Sequence, residues 1–275
     1  MIGRSASAPS CTLLIPTYNW AAALAAVLQT VRTQSVLPTE VFVADDGSRP
    51  DTAALVERES ERFPVPLHHV WQPDAGFRKG KILNEAAVRS HGDYLVQLDG
   101  DTMVHRDFIR SHLRFAERGV YLQGSRVMLG ADATARCLGA DRPAVGPFSR
   151  DLRNRINAVN APLLTRFVRG ARGAMHRTRG CNFSFWRDDF VRVNGYNEAI
   201  EGWGREDSEL VARLQNAGVR RRNIKFAAVA YHLDHPTLPT DAVPGQQDLL
   251  DRTVRDGIAW CAVGLDSHHA AGTPE

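Results

Sequence analysis

The chain has 275 residues, 43% of them hydrophobic, with 34 Lys and Arg against 31 Asp and Glu for a net charge of +3. At about 150 residues per domain this fits one large domain or two small ones, and the balance excludes collagen, coiled coil and wholesale disorder. Bulk charge this mild gives no argument for a nucleic-acid partner, and the longest apolar run, Ala21–Leu28, is far short of the ~20 residues that span a bilayer.

Residues 1–10 are Ser-, Ala- and Pro-rich and read as a frayed end. Cys11–Pro16 is a short apolar run stopped by proline, a buried strand. Trp20–Arg32 is Ala- and Leu-rich without a breaker, a helix. Glu40–Ala44 reads as a strand running into the turn Asp45-Asp46-Gly47-Ser48. Asp51–Arg62 reads as a helix with Asp51 as its N-cap, Leu67–Trp71 as a strand, Gly80–Ser90 as a helix, and Tyr94–Leu98 as a strand ending at Asp99-Gly100-Asp101. Strand and helix alternate four times, which predicts an α/β fold with a mostly parallel central sheet flanked by helices. In such sheets ligands bind outside the carboxyl ends of the strands, so the polar clusters after Pro16, Ala44 and Leu98 should line one rim. Further on, Asp188–Asn194 and Glu206–Ala217 read as helices, with Gly218 closing the second, Lys225–Tyr231 as a last strand, and Gln246–Val263 as an amphipathic helix.

Residues 130–179 differ in character. Ten arginines (136, 142, 150, 153, 155, 166, 169, 172, 177 and 179) face three aspartates (132, 141 and 151), a local +7 that leaves about −4 elsewhere. Arginines on a solvated surface or in internal ion pairs would explain this as readily as contact with an anionic acceptor or an anionic membrane face. The four cysteines (Cys11, Cys137, Cys181 and Cys261) are widely spaced without a C-x-x-C, and residues 1–10 have no apolar leader core. Both point to a reduced, cytoplasmic setting, peripheral at the inner membrane face if the arginines meet lipid.

Several stretches carry chemistry. Asp99 and Asp101 point the same way from an extended chain and would suit a hard cation, although an isolated D-G-D also reads as a solvated turn. Gly76–Lys81 is one residue short of a phosphate loop, with Ile82 where Ser or Thr is needed, and the first strand is followed by no G-x-G-x-x-G. Arg78, Lys79 and Lys81 could still meet a diphosphate. In Glu201–Glu209, two glycines flank Trp203, an aromatic plate for a sugar, and Glu206 and Asp207 open a helix whose dipole keeps a carboxylate ionised, as a general base requires. In Tyr231-His232-Leu233-Asp234-His235 either histidine could complete a metal site.

Taken in order, LIPTYN (Leu14–Asn19), ADDGS (Ala44–Ser48), FRKGKILNEA (Phe77–Ala86), LDGD (Leu98–Asp101), RGCNFSF (Arg179–Phe185), GYNEAIEGWGREDSEL (Gly195–Leu210) and YH (Tyr231-His232) resemble the family-2 glycosyltransferases of GT-A fold. The branch is the one with a galactosyltransferase-type C-terminal motif, like bacterial chondroitin polymerase catalytic domains. The resemblance implies a single GT-A domain over 11–235. Within it lie a nucleotide-sugar half (11–125), an Arg-rich connection (130–175) and an acceptor half (175–235), with 236–275 as a C-terminal extension. It implies that Pro16, Thr17 and Tyr18 pack around a nucleotide base and that Asp46 bonds it. Arg78 and Lys81 would stand near the base or diphosphate, and Asp99 would bind ribose or sugar hydroxyls. Asp101 and His232 would hold Mn²⁺ or Mg²⁺, with His235 a competitor. Trp203 and Glu206 would hold sugars, and Asp207 would be the general base of an inverting transfer from a UDP-sugar to a glycan or lipid-linked acceptor. Gly100 stands where the family often has a bulkier residue, which should lose one packing contact. A catalytically silent sugar-binding module is the alternative; a sugar nucleotidyltransferase would need a Gly-rich signature that Pro16–Trp20 lacks.

Overall fold

The computed structural model describes residues 8–141, 143–168, 178, 180–236 and 245–269. The elements are β1 (Cys11–Thr17), α1 (Ala21–Arg32), β2 (Glu40–Asp45), α2 (Pro50–Ser60), β3 (Leu67–Trp71), α3 (Lys79–Arg89) and β4 (Tyr94–Gln97). They continue with β5 (Thr102–Val104), α4 (Phe108–Phe115), β6 (Val120–Gln123), β7 (Arg126–Leu129), α5 (Ala131–Leu138) and β8 (Leu152–Arg153). Two 3₁₀ turns follow, Arg155–Ala158 and Pro162–Phe167. After them come β9 (Phe183–Trp186), α6 (Arg187–Arg192), α7 (Glu206–Asn216), β10 (Arg220–Asn223), β11 (Ala230–His232), α8 (Gln246–Arg255) and α9 (Asp266–His269).

Among the described residues the main sheet has seven strands in the order β10-β6-β9-β4-β1-β2-β3. It is parallel except for β9, which runs antiparallel to both β4 and β6. A smaller sheet, β5-β11-β7-β8, stands beside it. Alternation along β1 splits the core: Leu13 and Ile15 join the α1 and α2 side, while Leu14 faces the α3 and α7 side. Because both faces are covered, the central strands are apolar without a break, as in β1, which is buried at every position. Between β9 and α4, His112 is fully buried with Nδ1 2.8 Å from Ser184 Oγ and Nε2 3.1 Å from Asn182 Oδ1. Burial pushes its imidazole down to about 3, so it is neutral.

Some expectations are corrected. Asp51 is not the N-cap of α2; Arg49 holds that place, because Pro50 with its fixed φ supplies the first helical residue. Residues 225–229 are not strand: Phe226 (φ 67°) and Ala228 (φ 47°) are left-handed, which breaks extension and leaves only Ala230–His232 in β11. α8 stops at Arg255, and Trp260 lies beyond it, 51% exposed and not packed in the core. Of the arginines in 130–179, Arg142, Arg169, Arg172, Arg177 and Arg179 lie outside the described residues.

α7 is fixed from within by Arg213, 0% exposed, whose guanidinium meets the Glu209 carboxylate at 2.7–2.9 Å and the Val193 carbonyl. Removing one partner strands the other charge in the core. Arg213→Ala is therefore expected to destabilise the fold by about 3–5 kcal/mol, read as a lower Tm by circular dichroism. A variant that melts like wild type would show that the pair carries no such weight.

Candidate active site

The carboxyl ends of β1, β2 and β4 meet at one rim. Asp46 N donates to the Thr17 carbonyl (3.0 Å) and Gly100 N to the Pro16 carbonyl (2.9 Å). Along this rim Pro16, Thr17, Tyr18, Asp46, Asp99, Gly100 and Asp101 line an open cleft of about 710 Å³, joined by Trp20, Phe77, Lys79 and Trp203. A Cβ on Gly100 would stand 2.9 Å from the Pro16 carbonyl oxygen. Glycine here thus lets the Asp99–Asp101 turn close on β1, rather than costing a packing contact.

Tyr18 stands 53% exposed at the rim, its hydroxyl donating to Asp74 Oδ2 at 2.9 Å. Asp46 is buried, accepting from Gln72 Nε2 (2.5 Å) and the Arg78 backbone N–H (2.7 Å). Burial outweighs these bonds and raises its carboxyl above the usual range. Arg78 turns its guanidinium to the Pro73 carbonyl, and neither it nor Lys81 lines the cleft. Lys79, the first residue of α3, does.

Lys79 Nζ lies 3.2 Å from Asp207 Oδ2 and 3.4 Å from both Asp99 Oδ1 and Glu206 Oε1. Burial alone would depress its ammonium, but three carboxylates hold it well above its ordinary value. Asp99 Oδ1 is buried with no aligned hydrogen bond, and burial raises that carboxyl against the pull of Lys79. Glu206 is likewise raised, by burial and by Asp207, while its Oε2 accepts from Gly204 N at 3.2 Å. Asp207 accepts four bonds: at Oδ1 from the Tyr196 hydroxyl (2.9 Å) and Gln97 Nε2 (3.4 Å), and at Oδ2 from Gly180 N (3.0 Å) and Lys79. Gly180 is required by this approach, because a Cβ there would stand 2.2 Å from Asp207 Oδ2.

Next to the cleft, Asp101, His232 and His235 place ligand atoms within 4.8 Å of one another. His235 Nε2 is 3.2 Å from Asp101 Oδ2 and His232 Nε2 3.7 Å from Oδ1. His232 Nδ1 meets the Leu233 carbonyl (2.7 Å) and His235 Nδ1 the Pro236 carbonyl (2.9 Å). An N–H on each Nδ1 leaves both Nε2 atoms with a lone pair aimed at Asp101, the tautomer a metal ligand needs. His235 Nε2 is moreover buried without a hydrogen bond. One carboxylate and two imidazoles in this arrangement fit a divalent cation. Burial would raise Asp101, but without a cation a proton on His235 Nε2, 3.2 Å away, and positive charge on the two imidazoles outweigh it and hold the carboxyl below its usual value; a bound cation would take that proton's place.

The structure brings together the site residues singled out in the sequence except Arg78 and Lys81, whose side chains do not line the cleft. It gives Lys79 carboxylate partners rather than a diphosphate, and adds Tyr196, Gln97, Gly180 and Trp20. Lys79 and Tyr196 sit inside motifs already noted; Gln97 gives only a polar residue in an apolar strand. Trp20 and His235 meet in a T-shaped contact, ring centroids 5.6 Å apart.

Lys79→Met would remove the counter-charge to Glu206 and Asp207. Glu206 would then rise further, because Lys79 is the largest of the influences that oppose its upward shift, ahead of two backbone hydrogen bonds. At pH 7 turnover is expected to fall at least ~10-fold and to recover in part toward pH 9. A loss of equal size at every pH would show that Lys79 only fills space.

Two family models match: "Glycosyl transferase family 2" over residues 12–171 and "N-terminal domain of galactosyltransferase" over residues 169–236. The chain belongs to glycosyl transferase family 2. Validoxylamine A glucosyltransferase of Streptomyces hygroscopicus subsp. limoneus is 29% identical over 248 residues, covering 80% of this chain and 51% of that protein. Chondroitin synthase of Pasteurella multocida is 24% identical over 82% of this chain and 25% of its own length. The chain thus spans about half the length, or less, of these curated relatives. Among solved structures, TarS residues 1–349 of S. aureus with UDP-GlcNAc matches with TM-score 0.63 at 15% identity, over 94% of this chain and 69% of that one. The mannosyltransferase PcManGT of Pyrobaculum calidifontis, in complex with GDP-Man and Mn²⁺, matches with TM-score 0.57 at 18% identity, over 97% and 76%. These likenesses establish the GT-A fold.

Proposed function

We propose that the chain is a metal-dependent, inverting glycosyltransferase that moves a hexose-type sugar from a UDP-sugar to a hydroxyl of a glycan or lipid-linked acceptor in bacterial surface polysaccharide synthesis. The observation that carries this reading is that Asp46, Asp99, Asp101 and Lys79 line one cleft, with Asp207 joined to it through Lys79 and the two histidines to it through Asp101. The nucleotide base would lie against Pro16, Thr17 and Tyr18 with Asp46 as its partner, and the orphaned Asp99 oxygen would take a ribose or sugar hydroxyl. Asp101, His232 and His235 would hold Mn²⁺ or Mg²⁺, and two nitrogen donors make the softer Mn²⁺ the better fit of that pair. When bound, that cation supplies charge neutralisation for the departing diphosphate.

Asp207 is the general base. It takes the proton of the acceptor hydroxyl as that oxygen attacks the anomeric carbon, while the bond to the diphosphate breaks on the opposite face, giving inversion. A carboxylate has about four acceptor sites, and all four are occupied. The incoming hydroxyl therefore displaces a donor, and the long Gln97 contact (3.4 Å) is the weakest. Trp203 and Glu206 would bracket the sugars. The same saturation of Asp207 is what a catalytically silent binding module would show, and turnover separates the two. On this proposal residues 11–125 form the nucleotide half and residues 175–235 the acceptor half.

The test of the donor class is calorimetry in Mn²⁺ with UDP and GDP. UDP is expected to bind at least ~10-fold tighter, about 1.4 kcal/mol; equal or tighter GDP binding would overturn the uridine assignment.

A peripheral membrane contact is part of this reading. Among the described residues no helix is long and apolar enough to cross a membrane. Yet Phe148 (95% exposed), Leu163 (66%) and Phe167 (68%) stand out in a segment with Arg150, Arg155 and Arg166. Apolar tips between arginines suit an anionic interface. Co-sedimentation with anionic vesicles is expected to fall with salt and in a Phe148→Ser, Phe167→Ser double variant. Binding indifferent to both would contradict it.

A further inference from the structure

β7 sets Arg126 and Met128 on the same face of the small sheet, because side chains two apart in a strand point the same way. The pairing puts Met128 opposite Arg153 of β8 on one side and opposite His232 of β11 on the other. This row floors a second open cleft of about 930 Å³, which reaches His235 as well. Asp101 lines the first cleft and its two histidine neighbours line the second, so the carboxylate–imidazole group stands between them.

The second cleft carries two guanidinium groups against one lining carboxylate, Asp234. Arg126 is half-buried and forms no ion pair among the described residues; its Nη1 lies 3.7 Å from Cys181 Sγ, a weak acceptor. Arg153 Nη2 is 3.7 Å from Asp234 Oδ1, beyond hydrogen-bond reach. A guanidinium that has traded water for a thiol has lost hydrogen bonds. Its planar fork matches the oxygens of a phosphate.

We propose that this cleft is a binding site for a phosphate-class anion, held by Arg126 and Arg153 beside the metal group. The proposal rests on the reading above in one respect: a diphosphate on the metal group would lie next to it. The anion has two sources, the donor's own diphosphate or a phosphate on the acceptor. The second would make the acceptor a phosphorylated glycan or a lipid-linked diphosphate.

The experiment has two calorimetric arms, each run on wild type, Arg126→Gln, Arg126→Lys and Arg153→Gln, with circular dichroism as the folding control. In the first arm inorganic phosphate is titrated into metal-free protein. Wild type is expected to bind it, Arg126→Gln at least ~10-fold more weakly, Arg126→Lys less weakly than that, and the exposed Arg153→Gln several-fold more weakly. In the second arm UDP is titrated in Mn²⁺. A parallel loss of UDP affinity in Arg126→Gln assigns the site to the donor diphosphate, and unchanged UDP affinity assigns it to the acceptor. Wild type that takes up no phosphate, or folded variants that bind it as wild type does, overturns the proposal. Wild type that binds phosphate but no UDP would defeat the donor reading and leave the anion site standing.

Discussion

Asp207→Asn is expected to cut sugar transfer by about 10²–10⁴-fold, with UDP affinity in Mn²⁺ within about twofold of wild type. The substitution keeps shape and removes the base. It also leaves an amide N–H₂ facing donors, because Asp207 meets only donors: Tyr196, Gln97, Gly180 and Lys79. Lys79 would then be shared by Asp99 and Glu206 alone. Gly180→Ala should mimic the loss while leaving residue 207 an aspartate, because its Cβ would force Asp207 Oδ2 out of place. Nucleotide-release rates with parallel UDP titrations check both. Wild-type turnover in Asp207→Asn would assign the proton transfer to another group, with the neighbouring Glu206 first in line.

Asp101→Ala is expected to weaken Mn²⁺ binding at least ~100-fold and to lower turnover by about 10²-fold or more. Asp101 is the one carboxylate in its group, and both imidazoles are aimed at it. Without it two neutral nitrogens would face a divalent cation and a dianionic diphosphate. His232→Ala is expected to cost more Mn²⁺ affinity than His235→Ala. β11 and the Nδ1 bond to Leu233 fix His232 in the interior, whereas His235 is half-exposed on the following loop. Mn²⁺ titrations read by calorimetry and by rate decide this; an unchanged Mn²⁺ dependence in Asp101→Ala would remove the metal assignment.

The nucleotide half was legible because its signals are local. Unbroken apolar runs such as Leu13–Ile15 and Val41–Ala44 announce strands covered on both faces, and the turns after them carry the charged residues. The second half hid for physical reasons. β9 is antiparallel and inserted between β4 and β6, a pairing that no local pattern encodes. β10 reads Arg-Arg-Arg-Asn, which has no strand signature, and is held by pairing with β6. At the site, Asp46, Asp99, Asp101, Asp207 and His232 were recognisable as acids and imidazole at strand and helix ends. Lys79 offers in sequence only a cation for a diphosphate, because its three carboxylate partners lie up to 128 positions away. His235 stood as a rival to His232, and the fold instead brings both to Asp101. Gly180 could not be read at all, because its role is a missing Cβ beside a carboxylate 27 residues on.

The most direct test is nucleotide release from a panel of UDP-sugars by the wild-type chain, with water or added glycan as acceptor, in Mn²⁺ and again in excess chelator. The account requires at least one donor to be turned over in Mn²⁺ and that turnover to vanish in chelator. UDP bound tightly in Mn²⁺ with no donor turned over at any acceptor concentration would mark the chain as a binding module and contradict the account.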